Sequence, residues 1–247
     1  MPAAGSPERL ASKPGPLRKA VTRLWMKPAI VTANEPLAGR FHLITLEGAA
    51  LKGIAWLPGQ KVQIAMGSVF VARTYTPIEW DASTGRMCIL GYAHGEGPGS
   101  AWVRSVARGE ECEIFGPRAS LDLSPLPGPL IIAGDETVLG LAYAATHQDR
   151  ARRVSACLEV EDVESARQAA AHLGLEGMAL FAKSAGETHL AAMEAALAEG
   201  VAAGASCVLA GKAGTIQRLR QSLKEHKLPA ARLITKAYWA PGKTGLD

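Results

Sequence analysis

Short runs in which apolar and polar residues alternate fill the chain from Lys27 to Phe115, broken by clusters of Gly, Pro, Asp and Ser. Alternation with period two marks strands with one buried face. The runs at 29–32, 40–46, 61–66, 69–77 and 87–93 are expected to be strands, with 111–115 closing the set before Gly116-Pro117. Turns fall at Leu57-Pro58-Gly59-Gln60 and Asp81-Ala82-Ser83-Thr84-Gly85. The spacing predicts a six-stranded antiparallel barrel, interrupted by one helix over 100–107.

Beyond Phe115 the pattern changes. Residues 130–133 are wholly apolar, as expected of a strand covered on both faces. Helical spacing follows at 136–147, and the alternation continues with strands at 153–160, 178–181, 206–210 and 232–238. Between them lie helices at 163–172, 187–198 and 215–225. Strands alternating with helices predict an open, mostly parallel α/β sheet. Ser124-Pro125-Leu126-Pro127-Gly128-Pro129 divides the two patterns. The expected organisation is a mobile tail over 1–20, a barrel domain over 21–123, a linker over 124–128 and an α/β domain over 129–247.

The chain has 247 residues, of which 48% are hydrophobic, enough for a substantial core. A formal charge of +4 is too small to suggest a nucleic-acid partner and suits an anionic cofactor or substrate. Cys88, Cys112, Cys157 and Cys207 show no CxxC spacing, which argues against an iron–sulfur or zinc site and for buried thiols in a reducing compartment. The six histidines form no metal-ligand pattern. With no membrane-length apolar run and no signal-peptide h-region, the expected location is cytoplasmic.

Two segments carry chemistry. Arg73-Thr74-Tyr75-Thr76 sets a fixed cation two positions from an aromatic ring, on one face of a strand. His94-Gly95-Glu96-Gly97-Pro98-Gly99-Ser100 is a glycine-rich turn that opens a helix carrying Trp102, with Ser100 expected as its N-cap. Backbone N–H groups at a helix N-terminus receive phosphates. A cation, a ring and such a turn together fit a flavin dinucleotide, FAD. Each segment alone also fits an amphipathic strand or a hairpin loop.

Three further segments lie at strand ends of the second pattern. In Gly134-Asp135-Glu136-Thr137 the two acids suit a helix N-terminus, and Thr137 is expected to face the flavin. Lys212, in Gly211-Lys212-Ala213-Gly214-Thr215, would pair with a nicotinamide-cofactor phosphate or simply be solvated. Tyr238-Trp239, flanked by Lys236 and Lys243, reads either as an aromatic plug or as a rim for an anionic substrate. Lys236, Trp239 and Lys243 are the substrate-binding candidates.

The order and spacing of these segments, with Gly116-Pro117-Arg118-Ala119-Ser120 and Gly242-Lys243-Thr244-Gly245, resemble the siderophore-interacting proteins, FAD-dependent ferric-siderophore reductases among the ferredoxin reductase-like flavoproteins. The resemblance implies a flavin-binding barrel followed by an NAD(P)H-binding-like domain. It implies that Arg73, Thr74, Tyr75 and Thr76 hold the flavin and its phosphate, and that the turn holds the diphosphate and adenosine end through His94, Gly95, Gly97, Pro98, Gly99 and Ser100, with Trp102 behind. NAD(P)H or a ferredoxin would supply electrons, and a ferric siderophore or other ferric chelate would receive them. Two alternatives stay open: a general NAD(P)H:flavin or electron-transfer oxidoreductase, and a non-enzymatic siderophore-binding module.

Overall fold

The computed structural model describes residues 25–66 and 72–243. The tail expected over 1–20, the start of the strand expected over 69–77 and Thr244-Gly245 lie outside the described residues.

The first half supplies β1 (Lys27–Ala38), β2 (Phe41–Glu47), β3 (Lys61–Ala65), β4 (Ala72–Tyr75), β5 (Pro77–Asp81), β6 (Arg86–Tyr92), α1 (Pro98–Ser105) and β7 (Glu111–Arg118). The strands form an antiparallel sheet in the order β4-β3-β7-β1-β2-β6-β5. Only Thr76 separates β4 from β5, yet they sit at opposite ends of that order. Tyr75 pairs with Val62 of β3, and Pro77 pairs with Ile89 of β6. The chain changes partner at Thr76, so the sheet curls back on itself. Taken as one bent strand, β4 and β5 give the six strands of the expected barrel.

The barrel is filled by alternate residues of its strands, including Val31, Ile44, Leu46, Val62, Ile64, Met87, Ile89 and Ile114. Trp102, Val103 and Val106, on and just after α1, close one end of this core. Most expected strands lie near their observed positions, but β1 is longer than the expected 29–32. Its second half carries Asn34, Glu35 and Pro36, residues with weak strand preference. Pairing with β2 holds it extended, through two register irregularities.

The second half supplies β8 (Leu130–Asp135), α2 (Leu139–Gln148), β9 (Val154–Val160), α3 (Val163–His172), β10 (Ala179–Ala182), α4 (His189–Ala202), β11 (Ser206–Lys212), α5 (Ala213–Glu225) and β12 (Leu233–Trp239). All pairings are parallel, in the order β10-β9-β8-β11-β12. The helix expected from 136 begins as a single 3₁₀ turn, Glu136–Val138, before α2. The four cysteines are free and buried, and burial pushes the Cys157 thiol up to about 12.

The segment 124–128 is not a loose tether. Leu121, Leu123 and Leu126 are buried in a cluster with Phe41, Ile78 and Cys88 of the barrel and Leu139 and Leu141 of α2. The Arg152 guanidinium donates to the carbonyls of Leu123, Leu126 and Gly128. Prolines stiffen this stretch, and its leucines bind it to the joint core. The sequence pattern exposed the prolines but not the leucines' destination. Among the described residues, no helix is long and apolar enough to cross a membrane.

Candidate functional site: the junction of the two sheets

Arg73 and Tyr75 project from the same face of β4 toward the first turn of α1. The Tyr75 hydroxyl donates to the Gly99 carbonyl at 3.4 Å, and its ring lies 5.7 Å from that of Trp102. Burial raises the Tyr75 pKa, only partly offset by the Arg73 charge, so the phenol stays neutral. A Cβ on Gly99 would sit 3.2 Å from Arg73 Cγ and 3.4 Å from the Tyr75 hydroxyl. A side chain there would press on the Arg73 stem, so glycine eases the close approach of the turn to the strand.

Helix α1 starts earlier than expected. Gly97 is the N-cap and Pro98 occupies the first turn, where its missing N–H costs nothing. Ser100 is therefore not the cap. It lies inside the first turn and is buried. The first-turn amides of Gly99 and Ser100 have no intrahelical acceptor, whereas Ala101 N–H already donates to Gly97. Arg104 ties the turn down by donating to the Gly95 carbonyl at 3.0 Å. Arg73 donates to the Ala72 carbonyl and has no carboxylate partner among the described residues.

The end of β12 touches both segments. Thr76 donates to the Tyr238 hydroxyl across a long 3.5 Å contact. Burial, helped by the Asp135 charge and opposed by Thr76, pushes the Tyr238 phenol up to about 12. Trp239 stacks on His94, centroids 4.8 Å apart and planes tilted 26°.

Asp135 organises this junction, a role beyond the helix-terminus preference expected of it. It is fully buried. One carboxylate oxygen accepts from the Thr137 amide and hydroxyl; the other accepts from Lys212 N–H at 2.8 Å and the Trp239 indole at 2.7 Å. The Thr137 hydroxyl proton is thus committed to Asp135, so Thr137 reaches a cofactor only as an acceptor. Glu136 is also buried. It receives Lys183 at 2.9 Å, the Tyr92 hydroxyl at 3.1 Å and the Glu161 amide. Burial works to lower the Lys183 pKa, but Glu136, then Glu161 and Asp135, outweigh it and raise it.

The sequence candidates therefore separate. Arg73, Tyr75, Gly99, Ser100 and Trp102 converge, and Thr76, His94 and Trp239 join them through β12. Thr74 is exposed. Lys212 points its ammonium at Glu187, 3.0 Å away. Lys236 is half-buried and Lys243 exposed, neither ion-paired among the described residues. Asp135, Glu136, Tyr92 and Tyr238 were missed as a set. The signal was two adjacent acids directly after an apolar strand, a place where only a partnered charge survives burial.

Residues 63–121 match the family described as the siderophore-interacting FAD-binding domain. A siderophore utilization protein from T. fusca superposes with a TM-score of 0.69 at 18% identity, covering 90% of this chain and 95% of that one. The siderophore-interacting protein SipS from Aeromonas hydrophila gives 0.69 at 21% identity, with 89% and 94% covered. A ferredoxin reductase of carbazole 1,9a-dioxygenase gives 0.69 at 16% identity, with 87% and 69% covered. These likenesses establish a ferredoxin reductase-like fold. Comparison with curated proteins gives no match.

Proposed function

We propose, from the premise that this chain belongs through residues 63–121 to the siderophore-interacting FAD-binding family, that it is a flavin-dependent oxidoreductase. Electrons from a reduced nicotinamide nucleotide or a ferredoxin would pass to a ferric siderophore or similar ferric chelate. The observation that carries this is the meeting of Arg73, which has no carboxylate partner among the described residues, and a neutral Tyr75 with the open first turn of α1 at Gly99.

The residues present fit FAD. Arg73 would neutralise a phosphate, the Gly99 and Ser100 amides would donate to another, and Tyr75 and Thr76 would border the ring system. His94, Gly95, Gly97 and Pro98 would shape the turn around the diphosphate. When bound, FAD takes two electrons as a hydride and passes them on singly, which suits a one-electron ferric acceptor. The chain supplies orientation: Asp135 and Glu136 are filled by internal donors, and Tyr75 and Tyr238 stay protonated at neutral pH. Lys236 and Lys243 would draw an anionic chelate toward the β12 end.

The test is reduction of a ferric siderophore by the FAD-loaded protein, with NADH, NADPH and reduced ferredoxin in turn. A ferric chelate turned over faster than ferricyanide supports the proposal. Equal rates with both favour a general flavin reductase, and a protein that binds the chelate but takes up no FAD favours a binding module.

A further inference from the structure

Strand β12 would not by ordinary pairing bring its indole to Asp135. Its register with β11 runs residue for residue until Gly211 meets Ala237. It then skips Tyr238, so that Lys212 meets Trp239. A bulge of this kind re-aims a side chain. Gly211 makes it possible: its φ is +101°, and a Cβ there would lie 2.9 Å from the Asp135 carboxylate. The Lys212 N–H and the Trp239 indole N–H then converge on the same carboxylate oxygen.

We infer that Asp135 is a positioning residue that holds the Trp239 indole against His94 and so fixes one wall of the proposed cofactor site. This rests on the proposed flavin site. All the groups around the carboxylate are donors: the Thr137 amide and hydroxyl on one oxygen, the Lys212 amide and the indole on the other. An amide of the same shape cannot replace it, because its NH₂ would face donors on one side or the other. Trp239 is held from Asp135 in β8 while its ring lies on the barrel's glycine-rich turn. The wall therefore belongs to both halves of the molecule, and its position is set by a residue that need not touch the cofactor.

The experiment compares Asp135→Asn, Trp239→Phe and the double variant, each loaded with FAD. A third protein carries benzothienylalanine at position 239, which keeps the ring and deletes the N–H without altering Asp135. An indole stacked near a flavin quenches its emission, so flavin fluorescence reads the wall. In Asp135→Asn and in the benzothienyl protein, emission should rise toward the Trp239→Phe level. Asp135→Asn should add nothing in the Trp239→Phe background. Additive effects, or wild-type emission in the benzothienyl protein, would overturn the inference. If no variant and no wild-type protein takes FAD, the functional proposal fails instead. The inference is then judged on the cofactor-free protein, where the Trp239 contribution to emission must shift to the red in Asp135→Asn; no shift rejects it.

Discussion

The proposed cofactor face of the barrel and the carboxyl edge of the parallel sheet both carry cations, but they treat several of them oppositely. On the barrel, Arg73 has no carboxylate partner among the described residues, and the first turn of α1 has open amides. On the sheet edge, Lys183 lies 2.9 Å from Glu136 and 3.3 Å from Glu161, Lys212 lies 3.0 Å from Glu187, and Arg218 lies 2.8 Å from Glu194. An open cation is ready for an anionic ligand. A paired one must first surrender a carboxylate. The barrel face is thus open to a phosphate-bearing ligand, whereas Lys183, Lys212 and Arg218 are internally satisfied and would meet a nucleotide phosphate only by exchange.

Breaking the paired side should cost the most. Lys183→Met leaves Glu136 buried without its cation and should destabilise the fold by about 3 kcal/mol, read as a lower urea midpoint. FAD affinity of the folded fraction should stay unchanged. A variant as stable as wild type would show that the Lys183–Glu136 pair is not structural.

Breaking the open side should do the reverse. Arg73→Ala should weaken FAD binding by about 2 kcal/mol, the worth of a charge-assisted hydrogen bond, or roughly thirtyfold in Kd. Its urea midpoint should stay near that of the wild type, since no ion pair among the described residues is lost. Calorimetric titration of the two proteins with FAD decides this.

High pH probes the junction between the two regions. The raised pKa of Lys183 and that of Tyr238, about 12, mean that the folded state holds both protons more tightly than the unfolded chain. Their contribution is complete below the unfolded values, near 10, and is lost as pH rises through the folded ones. The melting temperature should therefore fall above about pH 10, and Tyr238→Phe should flatten that fall. An unchanged slope would remove Tyr238 as a cause.

The smallest effect is expected at the exposed pair. Glu187→Gln should change stability by no more than about 0.5 kcal/mol. By freeing Lys212, it should lower the KM for NADPH by a few-fold relative to NADH. An unchanged ratio would place Lys212 outside the nucleotide site.

The difference between the regions also explains how much of the molecule was legible beforehand. The two fold classes followed from hydrophobic period, because one-sided and two-sided burial leave different patterns. Arg73, Tyr75 and the glycine-rich turn could be grouped beforehand because a cation, a ring and the amides of a helix N-terminus are together what a flavin dinucleotide needs. Asp135 was harder to place. Its partners, Lys212 and Trp239, are 77 and 104 positions away, and the bulge that aligns them depends on a single glycine conformation. Lys212 looked like a free cation because its partner Glu187 comes from a loop before α4, which no local pattern connects to β11. Ser100 looked like a cap because serine usually is one, but Pro98 is better suited to the first turn and moved the start to Gly97.

The most direct test is a titration of the purified protein with FAD, followed by visible absorbance and repeated on Arg73→Ala. Saturable uptake of one FAD per chain by the wild type, strongly weakened in the variant, is the expected result. No uptake by the wild type, or equal uptake by both, would contradict the assignment of the β4–α1 junction as the flavin site.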